Sequence, residues 1–288
     1  MTAPTSLRVP RPDGAAIAAE VRGSAGHPLV LLVAGGESSM DWWRPAFCDL
    51  IVERGFRVAR YDQRGMGETT LGPPGSRRDG LEVSLGDALA VLDAAGAADA
   101  HWVGFSAGGW VCQLAALDHP DRVRALTLVS SSPTMFETDD DLPASAERLQ
   151  QAWANPRPDP DWNDAAAVVE HHVDIDRDYA GDEFDEEHDR AIWADTVRRS
   201  PGMHRDEEGG EWADAPRWRE RLGGVAAPTT VVHGTSDPMF PFAHGEALAR
   251  DIPGASLVRI PGGGHELPPT AWPAVVRAIT GSAAPTGN

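Results

Sequence analysis

Short apolar runs of five or six residues recur along the chain, each followed by a longer stretch whose apolar positions fall three or four apart. Leu29-Val-Leu-Leu-Val-Ala34 has no polar position, as a strand covered on both faces requires. Residues 45–54 then read as a helix ended by Gly55, and Phe56 to Tyr61 as the next strand. Leu81, Leu85, Ala88, Leu89 and Leu92 share one face of a helix over 81–95 that Gly96 closes. His101 to Phe105 reads as a strand, 107–118 as a helix and Val123 to Val129 as a further strand. After an interruption the rhythm resumes with a strand over 229–233, a helix over 241–251, a strand over 255–260 and a helix over 268–280. This alternation predicts an α/β fold with a mostly parallel central sheet flanked by helices.

The interruption runs from Thr134 to Ala215. It is rich in Asp, Glu, Trp and Pro and reads as helices such as 144–153, 164–172 and 185–199. Compact domains rarely hold a structureless loop of that length, so a helical cap over 134–215 is expected, inserted into a core made of 1–133 and 216–288. The last eight residues, GSAAPTGN, read as a frayed tail.

Charge sharpens that boundary. The 288 residues carry 44 acids against 25 basic residues, a net charge of −19, and every basic residue is arginine. Residues 134–215 hold 24 acids and 7 arginines, a net of −17, which leaves −2 for the core. A chain this acidic is not built for nucleic acid, whose phosphates need basic partners. An acidic cap disfavours anionic substrates and attracts cationic ones, such as an amino-sugar conjugate; keeping a Trp-rich lid in solution explains the charge as well. Cys48 and Cys112 lie in apolar stretches and read as buried thiols. The N-terminus lacks the apolar core of a secretory signal and no run is long enough to span a bilayer, so the expectation is a soluble cytoplasmic protein.

The most specific chemical signal is Gly104-Phe-Ser106-Ala-Gly108, a G-x-S-x-G between an expected strand and an expected helix. Glycines two residues either side let strand and helix meet at a sharp turn, which exposes the serine hydroxyl at a helix N-terminus. A serine needs a base to take its proton and a third group to orient that base. His265, in the loop Pro261-Gly-Gly-Gly-His265 beyond the last expected strand, can swing back over the sheet. His233 reads instead as a buried histidine bonded to backbone, and surface or capping roles suffice for His119 and His244. The sheet gives His171, His172, His188 and His204 no partner. For the orienting acid, Asp237 follows the strand 229–233 at the carboxyl end of the sheet. The corresponding place one strand earlier reads Ser130-Ser-Ser-Pro133 and has no carboxylate. The order Ser106, Asp237, His265 is that expected of an α/β-hydrolase. Oxyanion donors are expected in the backbone amides of Ala107 and of Gly36, in the turn after the first parallel strand; for Gly36 a plain tight loop is the alternative.

Together with Leu31-Leu-Val-Ala-Gly-Gly36 and Tyr61-Asp-Gln-Arg-Gly-Met-Gly67, these segments resemble the α/β-hydrolase superfamily with a helical cap. Within it the chain is most similar to the aclacinomycin methylesterase type of actinobacterial polyketide biosynthesis, over 28–133 and 225–270 and weakly across the cap. The resemblance implies cleavage of a carboxylic ester, such as a methyl ester of a bulky hydrophobic small molecule, through an acyl-enzyme on Ser106, with His265 as base, Asp237 as its orienter and Gly36 and Ala107 at the oxyanion. Members favour Met or a similarly bulky residue after the serine, so Ala107 departs from the pattern, although its amide is unaffected. Haloalkane dehalogenases and epoxide hydrolases of this fold need an aspartate nucleophile and are excluded. Lactonases, perhydrolases and carbon–carbon bond hydrolases share the triad and stay open, as does a non-catalytic receptor on the same scaffold. Neither cofactor nor metal is expected: Gly65-Met-Gly67 lacks the third glycine of a dinucleotide fingerprint, and Asp174-x-Asp176-x-Asp178 lacks the Gly and Glu of a calcium loop and reads as a solvated acidic face. The cap tryptophans Trp153, Trp162, Trp193 and Trp212 read either as packing against the sheet or as a lining for a flat acyl group.

Overall fold

The computed structural model describes residues 3–73, 80–135, 139–200 and 217–282. Eight strands form one sheet: β1 (Thr5–Pro10), β2 (Ala16–Arg22), β3 (Leu29–Val33), β4 (Arg57–Tyr61), β5 (Ala100–Phe105), β6 (Val123–Val129), β7 (Thr229–Gly234) and β8 (Ser256–Ile260). Their spatial order is β1-β2-β4-β3-β5-β6-β7-β8. β2 runs antiparallel to both β1 and β4, and every later pairing is parallel.

Why the central strands read as unbroken apolar runs is visible in where alternate residues go. Leu29, Leu31 and Val33 pack with Leu81, Leu85 and Leu92 of α2 (Leu81–Ala94) and with Trp110 and Val111 of α3 (Ala107–Asp118). Val30 and Leu32 face the opposite way, onto Phe47 and Ile51 of α1 (Pro45–Val52) and Val275 and Ile279 of the last helix (Trp272–Ser282). Gly55 and Gly96, which end α1 and α2, take φ of 85° and 67°, where a side chain is strained.

β1 and β2 are absent from the sequence-based expectation. β1 is the sheet edge, with four of its six residues exposed, and β2 carries three alanines among seven residues. Neither presents the buried apolar run that marks the central parallel strands.

Between β6 and β7 lie α4 (Glu147–Ala154), α5 (Ala165–Tyr179) and α6 (Glu186–Arg199), followed after β7 by α7 (Ala243–Asp251) and then α8 (Trp272–Ser282). Position 215, expected to end the insertion, lies outside the described residues, as do Trp212 and His204. The three described tryptophans of the insertion pack within it rather than on the sheet. Trp193 stacks on His172 at 3.9 Å, Trp162 lies edge-on to both His171 and His172, and Trp153 tilts against Tyr179 and is 47% exposed. The acidic face expected at Asp174, Asp176 and Asp178 is corrected in one member. Asp174 and Asp178 pair with Arg177 and Arg157, but Asp176 accepts the Trp193 indole N–H at 2.7 Å and shares a hydrogen bond with buried Asp189. Among the described residues no helix is long and apolar enough to cross a membrane. Both cysteines are free and buried, and burial pushes the Cys48 thiol up to about 12.

Candidate active site

β5 ends at Phe105, and Ser106 turns the chain into α3 with φ 52° and ψ −122°, a strained pair for a residue with a side chain. Its neighbours make the turn possible by having no Cβ. One placed on Gly104 would lie 2.3 Å from the Gly108 carbonyl oxygen, and one on Gly108 would lie 2.3 Å from that of Val33. Two backbone bonds hold the turn: the Ser106 amide donates to Val129 at 3.0 Å, and the Gly109 amide to the Ser106 carbonyl at 2.8 Å.

Ser131 supplies a support that sequence reasoning passed over. After β6 the chain turns at Ser130 with φ 45°, and the Ser131 hydroxyl donates to the Ser106 carbonyl at 2.9 Å. A Cβ on Gly109 would meet that hydroxyl at 2.3 Å. The run of serines after β6, which holds no carboxylate, therefore braces the turn.

Three residues far apart in sequence form one hydrogen-bonded chain. Ser106 Oγ lies 2.9 Å from His265 Nε2, and His265 Nδ1 lies 3.0 Å from Asp237 Oδ2. An imidazole that donates from Nδ1 to a carboxylate presents Nε2 as an acceptor to the hydroxyl. The other Asp237 oxygen accepts the amides of Met239 and Phe240, both at 2.9 Å. Burial raises the Asp237 carboxyl, but His265, His233 and the Phe240 amide outweigh it and hold the group below the ordinary carboxylate range. The acid is thus an anion with its lone pairs occupied, fixed in one orientation.

His265 reaches this place because the glycines before it fit a slot without side chains. A Cβ on Gly264 would lie 2.1 Å from the Gly181 nitrogen, and one on Gly234 would lie 2.2 Å from the Gly263 carbonyl oxygen. The His265 amide donates to the Tyr179 carbonyl at 2.9 Å, and the Asp182 amide to Gly262 at 2.8 Å. The histidine loop is therefore gripped between the end of β7 and the segment after α5. Beside it, burial raises the Glu266 carboxyl to about 6 even though the amides of Gly181 and Gly264 donate to it.

The remaining expectations fall as follows. Gly36 is exposed and Ala107 buried, and a Cβ on Gly36 would stand 3.9 Å from that of Ala107. The two expected oxyanion positions are thus adjacent. His233 is fully buried and bonded to the Phe240 carbonyl at 2.7 Å. His244 is not a surface group: it is buried between Ser132 and the Pro143 carbonyl, each at 2.9 Å. Phe105, Phe240 and Tyr179 stand around the His265 ring at 5.1, 5.4 and 6.0 Å. Among the described residues no group of three His, Cys, Asp or Glu side chains is placed to hold a metal ion.

A strand order with one antiparallel strand at second place and a serine turn after β5 defines an α/β-hydrolase architecture. The sequence profile of the α/β hydrolase fold family matches residues 28–270, and the chain belongs to that family. It is similar to rhodomycin D methylesterase DnrP of Streptomyces peucetius, with 29% identity over 89% of this chain and 91% of the relative. It is also similar to 2-hydroxymuconate semialdehyde hydrolase of Pseudomonas sp. strain CF600, with 29% identity over 81% and 78% of the two chains. Among solved structures, a hydrolase from Pseudomonas aeruginosa PA01 superposes with a TM-score of 0.69 at 27% identity, covering 97% of this chain and 98% of that one.

Proposed function

We propose that the protein is a carboxylic ester hydrolase that cleaves its substrate, a bulky hydrophobic small molecule, through an acyl-enzyme on Ser106. The observation that carries this reading is the unbroken chain from Ser106 Oγ through His265 to Asp237 at 2.9 and 3.0 Å. His265 takes the serine proton as Oγ attacks the ester carbonyl, then returns it to the leaving alcohol. Asp237 holds the ring and stabilises the imidazolium formed in between. The oxyanion is received by the amides of Gly36 and Ala107, charge developing where fixed dipoles already point. Water, deprotonated by the same histidine, then releases the acid.

Similarity to the rhodomycin D methylesterase favours a methyl ester as the bond cleaved. The aromatic rings around His265 suit a flat or apolar acyl group. A second reading, hydrolysis of a carbon–carbon bond on the same three residues, is favoured by similarity to the semialdehyde hydrolase. Methanol release from a panel of aromatic and polyketide methyl esters decides between them. Methanol that appears with wild type and not with Ser106→Ala supports the methylesterase. Turnover of a ring-fission ketone without any methyl ester hydrolysis would replace it with the second reading.

A further inference from the structure

The turn after β4, Tyr61-Asp-Gln-Arg-Gly-Met-Gly67, has so far no part in the chemistry. Its Gln63 spans the loop that carries Gly36. The side-chain Nε2 donates to the Ala34 carbonyl at 2.9 Å, and Oε1 accepts the Ser38 amide at 3.3 Å. The two contacts fix the amide's orientation, since only the NH2 end can donate and only the oxygen can accept. Between the pinned positions lie Gly35, Gly36 and Glu37, and Glu37 has φ 53°, a left-handed conformation unfavourable for a residue with a side chain. Asp62 pins the loop's far end by accepting the Met40 amide at 2.8 Å. The loop lies beside the nucleophile: a Cβ added to Gly35 would stand 3.4 Å from Ser106 Cβ.

We infer that Gln63 is a positioning residue for the oxyanion site, holding the Gly36 amide on the charge that develops at the ester oxygen. The inference rests on the serine-hydrolase reading above. A short loop that contains a strained residue relaxes unless both ends are tied, and Gln63 ties both with one planar group. Both Gln63 side-chain hydrogen bonds described go to the backbone of this loop and not to Ser106. Its loss leaves the hydrogen-bonded chain of Ser106, His265 and Asp237 intact and removes only the preorganisation of one donor. Complete loss of such a donor costs about 10²–10³ in kcat. Loss of its support should cost part of that, with little change in ground-state binding.

The test uses p-nitrophenyl acetate with wild type, Q63L and Q63E, with thermal melts to verify folding. Q63L is expected to lower kcat about 10- to 100-fold with KM within about twofold, and to weaken a phosphonate transition-state analogue by the same factor as kcat. Q63E provides the rescue. As a carboxylate it repels the Ala34 carbonyl, but once protonated it reproduces both hydrogen bonds of the glutamine. Its kcat relative to wild type should therefore climb as pH falls through the carboxyl's titration, while the ratio for Q63L stays flat. If Q63L does not fold, the Q63E profile decides alone. A Q63L with wild-type kcat, a loss confined to KM, or a Q63E ratio that ignores pH overturns the role of Gln63. Failure of the underlying reading looks different: wild type would then escape fluorophosphonate labelling at Ser106 altogether, whatever residue 63 is.

Discussion

The sheet-borne core and the helices inserted between β6 and β7 organise polar groups in opposite ways. In the core, Ser106 follows directly on β5, Asp237 lies in the loop after β7, His265 follows β8 in its glycine loop, and glycines let the backbones meet closely enough to align all three. In the insertion, acids outnumber arginines more than three to one, and several of those described pair with one another, with the insertion's own arginines, or with core arginines such as Arg44 and Arg219. Arg190 bridges Glu170 and Glu186, Arg177 reaches Asp174 and Glu186, and Asp176 and Asp189 share a hydrogen bond. One region spends its backbone geometry on a few precisely held atoms; the other is held by charges that solvent and pH can loosen. The contrast is not absolute, because the insertion's Tyr179 carbonyl also steadies the His265 loop.

The largest effects are expected where the core is changed. Ser106→Ala should lower kcat on a p-nitrophenyl ester by about 10⁴–10⁶, and Asp237→Asn by about 10⁴, because the asparagine presents the wrong partner to His265 Nδ1. Neither should lower the melting temperature appreciably. Ser106→Gly should raise stability by about 1 kcal/mol by releasing the strained turn while abolishing activity. A serine variant that kept its rate would place the chemistry elsewhere and dissolve the division between the two regions.

Next in size is the join. Arg199, at the end of α6, meets Asp41 and the fully buried Asp62 at 2.6 Å each, while Thr196 meets Ser39 at 2.8 Å and Ser200 accepts the Gly67 amide at 2.8 Å. Arg199→Met leaves a buried carboxylate without its cation and should cost about 3–5 kcal/mol in thermal or denaturant unfolding. An unchanged melting temperature would mean that the insertion is fastened to the core by other contacts.

The same division decides what could be read from sequence. Strands buried on both faces announce themselves as apolar runs, so the expected β3 to β7 match nearly to the residue, while β8, a partly exposed edge, is placed by the alternation of strands and helices; the chain order of Ser106, Asp237 and His265 follows from which loops leave the strands' carboxyl ends. β1 and β2 stayed hidden because an exposed edge and an alanine-rich strand lack that signal. Supports made by contacts distant in sequence carry no local mark at all. Nothing in Ser130-Ser-Ser-Pro133 says that Ser131 turns back to the Ser106 carbonyl, and nothing in His244 says that Ser132 and Pro143 enclose it. In the insertion, three aspartates spaced two apart suggest a wet surface. Helix geometry instead sends Asp174 and Asp178 to arginines and turns Asp176 inward.

Asp189, hydrogen-bonded to Asp176, gives the insertion a pH dependence of its own. Burial, and then the neighbouring Asp176, raises Asp189 to about 9, against about 3.9 in an unfolded chain. Over that interval the folded protein keeps a proton that the unfolded chain has released, so stability falls as pH rises from about 4 to about 9 and levels off beyond. Asp189→Asn, whose amide can donate where the proton was, should remove the slope. Its melting temperature should match wild type near the acid end and exceed it by several degrees near the alkaline end. A constant difference across the range would mean that the pair is not titrating.

The smallest expected effect concerns the insertion's net charge. If that charge guides substrate, a cationic ester should lose kcat/KM as salt rises while a neutral ester of the same shape does not, because screening shortens the field to about 10 Å at 0.1 M. The change should be roughly tenfold or less, since many of the acids already face an arginine and focused fields in open clefts set the upper range. Equal salt responses for the two esters would leave solubility as the reason for the charge. They would also complete the contrast between the regions: a core whose glycine-lined turns align Ser106, His265 and Asp237, and an insertion whose described ion pairs serve its own folding and its hold on the core.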